Sequence, residues 1–195
     1  MGNWSSKKKR GRPKVQRTPH DYGNDRVQTR AALFRHFRGD SSQGFEMSCA
    51  GRLMLVGAFD GLEHAPETLL ASLLEYSNGY WGHYGGGPKV AAYERSDRGH
   101  DNVWDDPRGE WFASIDQRLR DAGYHARKAV HECTVDRHWF PDEDVSWAAR
   151  IINRRFLDKG LPVCGELACD SDFAMLDLLR AGAMALAGTG MRRAA

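Results

Sequence analysis

The sequence contains little cysteine and no long apolar run. Four cysteines in 195 residues are too few for a disulfide framework, so we expect reduced thiols. No apolar stretch approaches the roughly 18 residues that a membrane-spanning helix needs. The basic start is also not followed by the apolar core of a signal peptide. We therefore expect a cytoplasmic protein without membrane contact.

Acidic side chains are missing from the first twenty residues. Residues 1–40 contain eleven Lys or Arg against three Asp, which gives this part a net charge of +8. The remaining 155 residues contain seventeen basic and twenty-three acidic side chains, which gives a net charge of −6. A basic arm on a mildly acidic body predicts a polyanionic partner for the arm alone.

Alternation of apolar and polar residues with a period of two is nowhere sustained, and no internal repeat is visible. Apolar residues recur at helical spacing instead, which predicts an all-α protein with a single domain of about six or seven helices. Three parts follow from the composition. They are a disordered basic arm over 1–24, a helical domain over 25–188 and a short C-terminal tail over 189–195.

Seven segments of the predicted domain have helical character. They are 25–38, 45–59, 66–84, a helix around residues 111–119, 125–135, 141–160, and a last helix that starts at Asp170. Pro141, Asp142, Glu143 and Asp144 are expected to form the start of the sixth, with carboxylates at its positive end. The last helix is expected to bury Phe173, Leu176, Leu179 and Ala183.

The opening of the arm gives the strongest chemical signal. Its residues are Lys7, Lys8, Lys9, Arg10, Gly11, Arg12, Pro13 and Lys14. A·T-rich DNA has a narrow minor groove whose negative potential attracts arginine. Gly11 lets the chain lie against the bases because it has no side chain, so Arg10 and Arg12 can point along the groove in opposite directions. Pro13 turns the chain outward without needing a hydrogen-bond donor, and the lysines can neutralise phosphates.

The string KRGRPK at residues 9–14 resembles the AT-hook, a short motif that binds the DNA minor groove in chromatin and regulatory proteins. The resemblance implies that Arg10, Gly11 and Arg12 form the core that enters the groove. The family pattern usually has Pro before the first Arg, where this chain has Lys9. The expected function is therefore a non-enzymatic, regulatory DNA-binding protein without a cofactor, associated with the nucleoid and bound to A·T-rich double-stranded DNA.

The body resembles helical proteins of unknown function that are encoded in prophages of GC-rich bacteria and often begin with a similar basic tail. The matching strings are CAGRLMLVGAFDGLEHAPETLLASLLEYSNGYWGHYG from Cys49 and KVAAYERSDR from Lys89. This resemblance implies a small DNA-associated protein of phage type. It brings no catalytic motif.

Other interpretations of the arm stay open. Gly2 with Ser6 fits a myristoylation pattern, and the lysines after it would supply a polybasic second signal. A nuclear-import signal is a further interpretation of the arm if the source is eukaryotic. The arm is otherwise a solvated basic tail, and the helical body would then be a protein-interaction module.

The body offers weaker candidates for chemistry. Cys164 and Cys169 could bind zinc with His131, Cys133 and His138, although their spacing is wider than usual. A metal-dependent nuclease would use Asp136, His138, Asp142 and Asp144, which otherwise form a solvated helix cap.

Two further features of the body allow contact with nucleic acid. Tyr76, Tyr80, Trp81 and Tyr84 either pack in the core or stack on bases. Arg150, Arg154 and Arg155 lie on a segment that a turn at 158–161 could make the first helix of a helix-turn-helix.

Overall fold

A computed structural model describes residues 32–37, 44–84, 107–138, 143–163 and 165–188. Within these ranges every regular element is helical, so the predicted all-α fold is confirmed. The seven α-helices are α1 (32–37), α2 (Cys49–Leu55), α3 (Pro66–Tyr84), α4 (Pro107–Asp121), α5 (Tyr124–Val130), α6 (Ser146–Asp158) and α7 (Asp170–Ala187). A 3-10 turn at Phe45–Met47 precedes α2, and a π-helical segment at His131–Val135 continues α5.

Helix α3 has the bounds that the sequence predicts. Pro66 suits the first turn because its fixed φ is helical and its missing N–H has no partner to lose there. Leu69, Leu70, Leu73 and Tyr76 recur at helical spacing and are all buried. The long central helix is therefore specified by one apolar face.

Helix α7 lies at the centre of the fold, where it packs against α3, α4, α5 and α6. Its residues Leu176, Leu179 and Ala183 are buried as predicted. The prediction for Phe173 is wrong, because this side chain is 37 % exposed. In the first turn of the helix the buried residue is Asp172 and not Phe173.

Gly182 allows α7 and α5 to approach closely. A Cβ atom built on this residue would lie 2.5 Å from Cγ2 of Val130 and 3.3 Å from the carbonyl oxygen of Ala126. Even a methyl group is therefore larger than the space between the two helices.

The predicted helix at 125–135 is confirmed, but its second half is π-helical. The backbone N–H of Asp136 donates to the carbonyl of His131 at 2.9 Å, a bond that spans five residues. The segment buries Cys133, Thr134 and Val135. The wider turn sets which of these side chains face α2 and α3.

The predicted helix start at 141–144 is wrong, because α6 begins at Ser146 and residues 143–145 are not helical. The two carboxylates of this segment that the structure describes, Glu143 and Asp144, form ion pairs instead. Asp144 accepts from Nε of Arg52 at 2.7 Å, and both side chains are almost fully buried. Glu143 pairs with Arg137 at the surface.

The predicted helix-turn-helix is also absent from the described chain. After α6 the backbone turns at Gly160 with a φ of +69°. Residues 161–163 and 165–169 are non-helical, and the next helix starts only at Asp170. This connection is far longer than the three or four residues of a helix-turn-helix.

The arm at 1–24 and the tail at 189–195 lie outside the described residues, so their predicted states stay predictions. Among the helices that are described, none has the length and apolar character to cross a membrane.

Candidate functional site

The predicted DNA-contacting residues, Lys7 to Lys14, all lie outside the described ranges. The structure therefore places none of them, and the prediction of a minor-groove arm stays a prediction. The polar sites of the body can be described from their contacts.

A hydrogen-bonded network joins α3, α4 and the π-helical segment. The hydroxyl of Tyr76 donates to Oδ1 of Asp116 at 2.8 Å. The hydroxyl oxygen of Tyr76 also lies 2.8 Å from Nε2 of His131. Because the hydroxyl proton is directed at the carboxylate, the ring nitrogen must be the donor in the second bond. Arg120 and Arg127 pair with the same carboxylate at 2.8 and 3.2 Å.

Burial and neighbouring charges shift the titration of this network. Burial raises the pKa of Asp116, but hydrogen bonds from Tyr76 and Arg120 outweigh it and hold the pKa below its usual value. Burial, together with the carboxylate of Asp116, raises the pKa of Tyr76. Burial and the charge of Arg127 lower the pKa of His131. The stable state is therefore ionised Asp116, neutral Tyr76 and neutral His131.

Acidification should destabilise the protein through His131. Its pKa is lowered in the folded state, so below about pH 6.5 the unfolded chain binds a proton that the folded chain resists. The contribution of His131 is present above that pH and is lost as the pH falls towards the folded-state pKa. Denaturant unfolding at a series of pH values from neutral to mildly acidic should show this slope.

His131→Gln should flatten the slope, since glutamine does not titrate and can still donate to Tyr76. His125→Gln is the matched control, because His125 is exposed on α5. An equal slope in wild type and His131→Gln would contradict this role of His131.

The four predicted aromatic residues divide between core and surface. Tyr76 is buried, which confirms core packing for this residue. Trp81 donates from Nε1 to the carbonyl of Val135 at 3.1 Å. Tyr80 packs beside the His131 ring at a centroid distance of 5.0 Å. Tyr84 is 53 % exposed at the end of α3, so it is the one of these four with most of its surface open to a partner.

The predicted zinc ligands are not brought together in the described part of the chain. Cys133 lies against Cys49, with 3.5 Å between the sulfur atoms. His131 is bonded to Tyr76, and Cys169 is exposed at the start of α7. Cys164 lies outside the described residues. Where side chains are described, no group of three or more His, Cys, Asp and Glu could hold a metal ion.

The predicted nuclease cluster is likewise not assembled from its described members. The carboxylate of Asp144 is buried against Arg52, whereas Asp136 is exposed after the π-helical segment. His138 stacks on Trp81 at a centroid distance of 5.9 Å. Asp142 lies outside the described residues.

Two of the three arginines predicted on α6, Arg150 and Arg154, form ion pairs with carboxylates of the body. Within the described residues, Nε of Arg155 is buried without a hydrogen-bond partner. Arg150 donates to both carboxylate oxygens of Asp172, at 2.6 and 2.9 Å. Arg154 pairs with Asp158 one turn later on the same helix. Sequence reasoning missed the Arg150–Asp172 pair, which connects α6 to the first turn of α7.

Comparison with known proteins adds no family to these observations. No protein-family model, no curated protein and no solved structure matches this chain.

Proposed function

We propose that the protein is a non-enzymatic DNA-binding protein of phage or prophage type, whose basic arm enters the minor groove of A·T-rich DNA. The observation that supports the proposal is the sequence KKKRGRPK at residues 7–14, within twenty residues that lack any acidic side chain. A regulatory role at the bacterial nucleoid fits such an arm. Neutralisation of phosphates by the lysines would make the affinity strongly dependent on salt.

The charge distribution of the body also supports the arm as the part of the chain that binds DNA. Many of its described arginines form ion pairs with carboxylates of the body, which neutralises their charge locally. These are Arg52, Arg120, Arg127, Arg137, Arg150, Arg154 and Arg180. Residues 1–40, by contrast, contain eleven basic and only three acidic side chains, so most of their positive charge has no acidic residue nearby in the sequence to neutralise it. A polyanion would therefore be attracted to the arm before the body.

Gly11→Val should weaken binding to A·T-rich duplexes by roughly tenfold or more, the usual cost of losing a specific contact in a groove. The net charge does not change, but the added side chain would hold the backbone away from the bases. Fluorescence anisotropy with A·T-rich and G·C-rich duplexes over a salt series measures the affinity of wild type and variant for each kind of DNA. Binding to G·C-rich DNA should change little.

Lys8→Ala is the matched variant, because it removes one positive charge from the arm and leaves Gly11 unchanged. It should weaken binding to both duplexes about equally and reduce the salt slope by roughly one. A chain that begins at Asp25 should lose the preference for A·T-rich DNA. If Gly11→Val binds as tightly as wild type, the groove model is wrong; if the full-length protein binds neither duplex at moderate salt, the whole proposal fails.

The second candidate is a protein-interaction module with an incidental basic tail. Its support is a pair of exposed aromatic side chains beside the α3–α4 contact, where Tyr84 is 53 % and Trp111 is 36 % exposed. The ring of Tyr84 lies 5.8 Å from that of Phe112 on α4, and a Cβ atom built on Gly79 of α3 would lie 3.1 Å from Cζ3 of Trp111, so each aromatic residue lies at the α3–α4 contact. Tyr84→Ser should reduce binding to a partner, without affecting DNA, only if this alternative holds.

A further inference from the structure

Two cysteines from distant parts of the sequence meet inside the body. Cys49 is the first residue of α2, and Cys133 lies in the π-helical segment, 84 residues later. Their sulfur atoms are 3.5 Å apart, and both residues are 1 % exposed. A disulfide has a sulfur–sulfur distance of about 2.05 Å, so the two atoms need to approach by roughly 1.5 Å to form one.

A cavity of about 210 Å³ adjoins this pair. Both cysteines line it, together with the polar side chains of Ser77, Thr134 and His138. The volume is sufficient for a molecule of several heavy atoms such as a hydroperoxide, and the lining is mainly apolar with a few hydroxyl and imidazole groups. The thiols are therefore shielded from large reagents but lie beside a space that a small one can occupy.

The two thiols have different acidities. The hydrogen bond from Cys133 lowers the pKa of Cys49 against the opposing effect of burial, and the charges of Arg52 and Arg137 lower it further. The same hydrogen bond, together with burial, raises the pKa of Cys133. Cys49 is thus the thiol that ionises first, and the thiolate is the nucleophilic form of cysteine.

We propose that Cys49 and Cys133 form an oxidisable dithiol, which hydrogen peroxide or a small organic hydroperoxide converts into an intramolecular disulfide. This inference concerns the helical body and does not depend on DNA binding by the arm. Cys133 also lies in the π-helical segment, and such segments are frequent at functional sites.

The reaction has two steps. The Cys49 thiolate attacks one oxygen of the hydroperoxide, and the O–O bond breaks to give Cys49 sulfenic acid and hydroxide or alkoxide. The leaving oxygen takes the proton that Cys49 released. The Cys133 thiol then attacks the Cys49 sulfur, and a water molecule leaves with the thiol proton. Two thiols are oxidised and one hydroperoxide is reduced to water, or to water and an alcohol with an organic hydroperoxide.

The test is peptide mapping of the full-length protein after exposure to hydrogen peroxide under native conditions. Remaining thiols are blocked with N-ethylmaleimide in denaturant, and the digest is analysed by mass spectrometry. We expect a cross-linked pair of peptides that contains Cys49 and Cys133. Its mass should be two hydrogen atoms below the summed mass of the two reduced peptides. Dithiothreitol should restore both free thiols.

Two variants assign the roles. In Cys133→Ser, Cys49 should stop at the sulfenic acid, which dimedone traps. In Cys169→Ser, the cross-link should form as in wild type, because Cys169 is exposed away from the cavity. Peptide mapping of the wild type decides the question even if Cys133→Ser does not fold.

Oxidation should also change stability. A bond between residues so far apart in the sequence constrains the unfolded chain, so the oxidised protein should melt at a higher temperature and return to its original midpoint after reduction. The proposal is overturned if Cys49 and Cys133 stay reduced while exposed Cys169 reacts, or if the disulfide that forms joins other cysteines.

Discussion

Asp144→Ala should lower the free energy of unfolding by about 3–5 kcal/mol, the usual cost of removing one partner of a buried ion pair. The carboxylate accepts from Nε of Arg52 at 2.7 Å, and the exposed fractions of the two side chains are 3 % for Arg52 and 2 % for Asp144. The variant would keep the buried guanidinium but lose this carboxylate. The bond from Arg52 to the carbonyl oxygen of Glu46, at 2.6 Å, offsets only part of that loss. Urea denaturation at neutral pH measures the difference.

Glu143→Ala is the matched control, one residue earlier in the chain. Glu143 also pairs with an arginine, Arg137, but its side chain is 63 % exposed. Water and salt screen such a pair, so the loss should be under about 1 kcal/mol. The double variant Arg52→Met with Asp144→Leu should recover most of the stability, since an apolar pair can replace a buried ion pair. Equal losses in the two single variants would contradict this account of the Arg52–Asp144 pair.

Gly182→Val should destabilise the protein by about 3 kcal/mol, at the upper end of the cost of overpacking a core. The first added carbon would already lie 2.5 Å from Cγ2 of Val130, and Leu119 and the backbone of Ala126 close the other sides of the space. Since α7 contacts four other helices, it cannot move away from α5 without disturbing the rest of the core. Thermal and urea unfolding should both detect the loss.

Ala181→Val adds valine to the neighbouring position, which is exposed. It should cost under about 1 kcal/mol, because only the lower helix propensity of a β-branched residue acts there. A Gly182→Val protein as stable as Ala181→Val would show that the helices do not approach as closely as described.

Local pattern was sufficient to predict most of the helices. The bounds of α3 follow from Pro66 and a regular apolar face, and the start of α7 follows from Asp170 and Asp172. The prediction was wrong at 141–144, where acidic residues have two possible uses. Carboxylates favour a helix start, but here a buried arginine 92 residues earlier in the chain donates to one of them, Asp144. No local pattern contains that information.

The polar sites of the body were missed for a related reason. Arg52 stands alone among the apolar residues of α2, which signals a buried charge but does not identify its partner. Tyr76 is 40 residues from Asp116 and 55 from His131. Cys49 and Cys133 are 84 residues apart, whereas the close spacing of the two cysteines in CGELAC, Cys164 and Cys169, suggested that pair instead. These groups meet only through the packing of the helices.

The central position of α7 has a consequence for how the chain is made. Of the described helices it is the last to leave the ribosome, yet α3, α4, α5 and α6 all pack against it. During synthesis the earlier helices therefore have no complete core to fold around, and their apolar faces stay open to water or to chaperones. Native packing becomes possible only when residues 170–187 emerge, so the body should fold late and in one cooperative step.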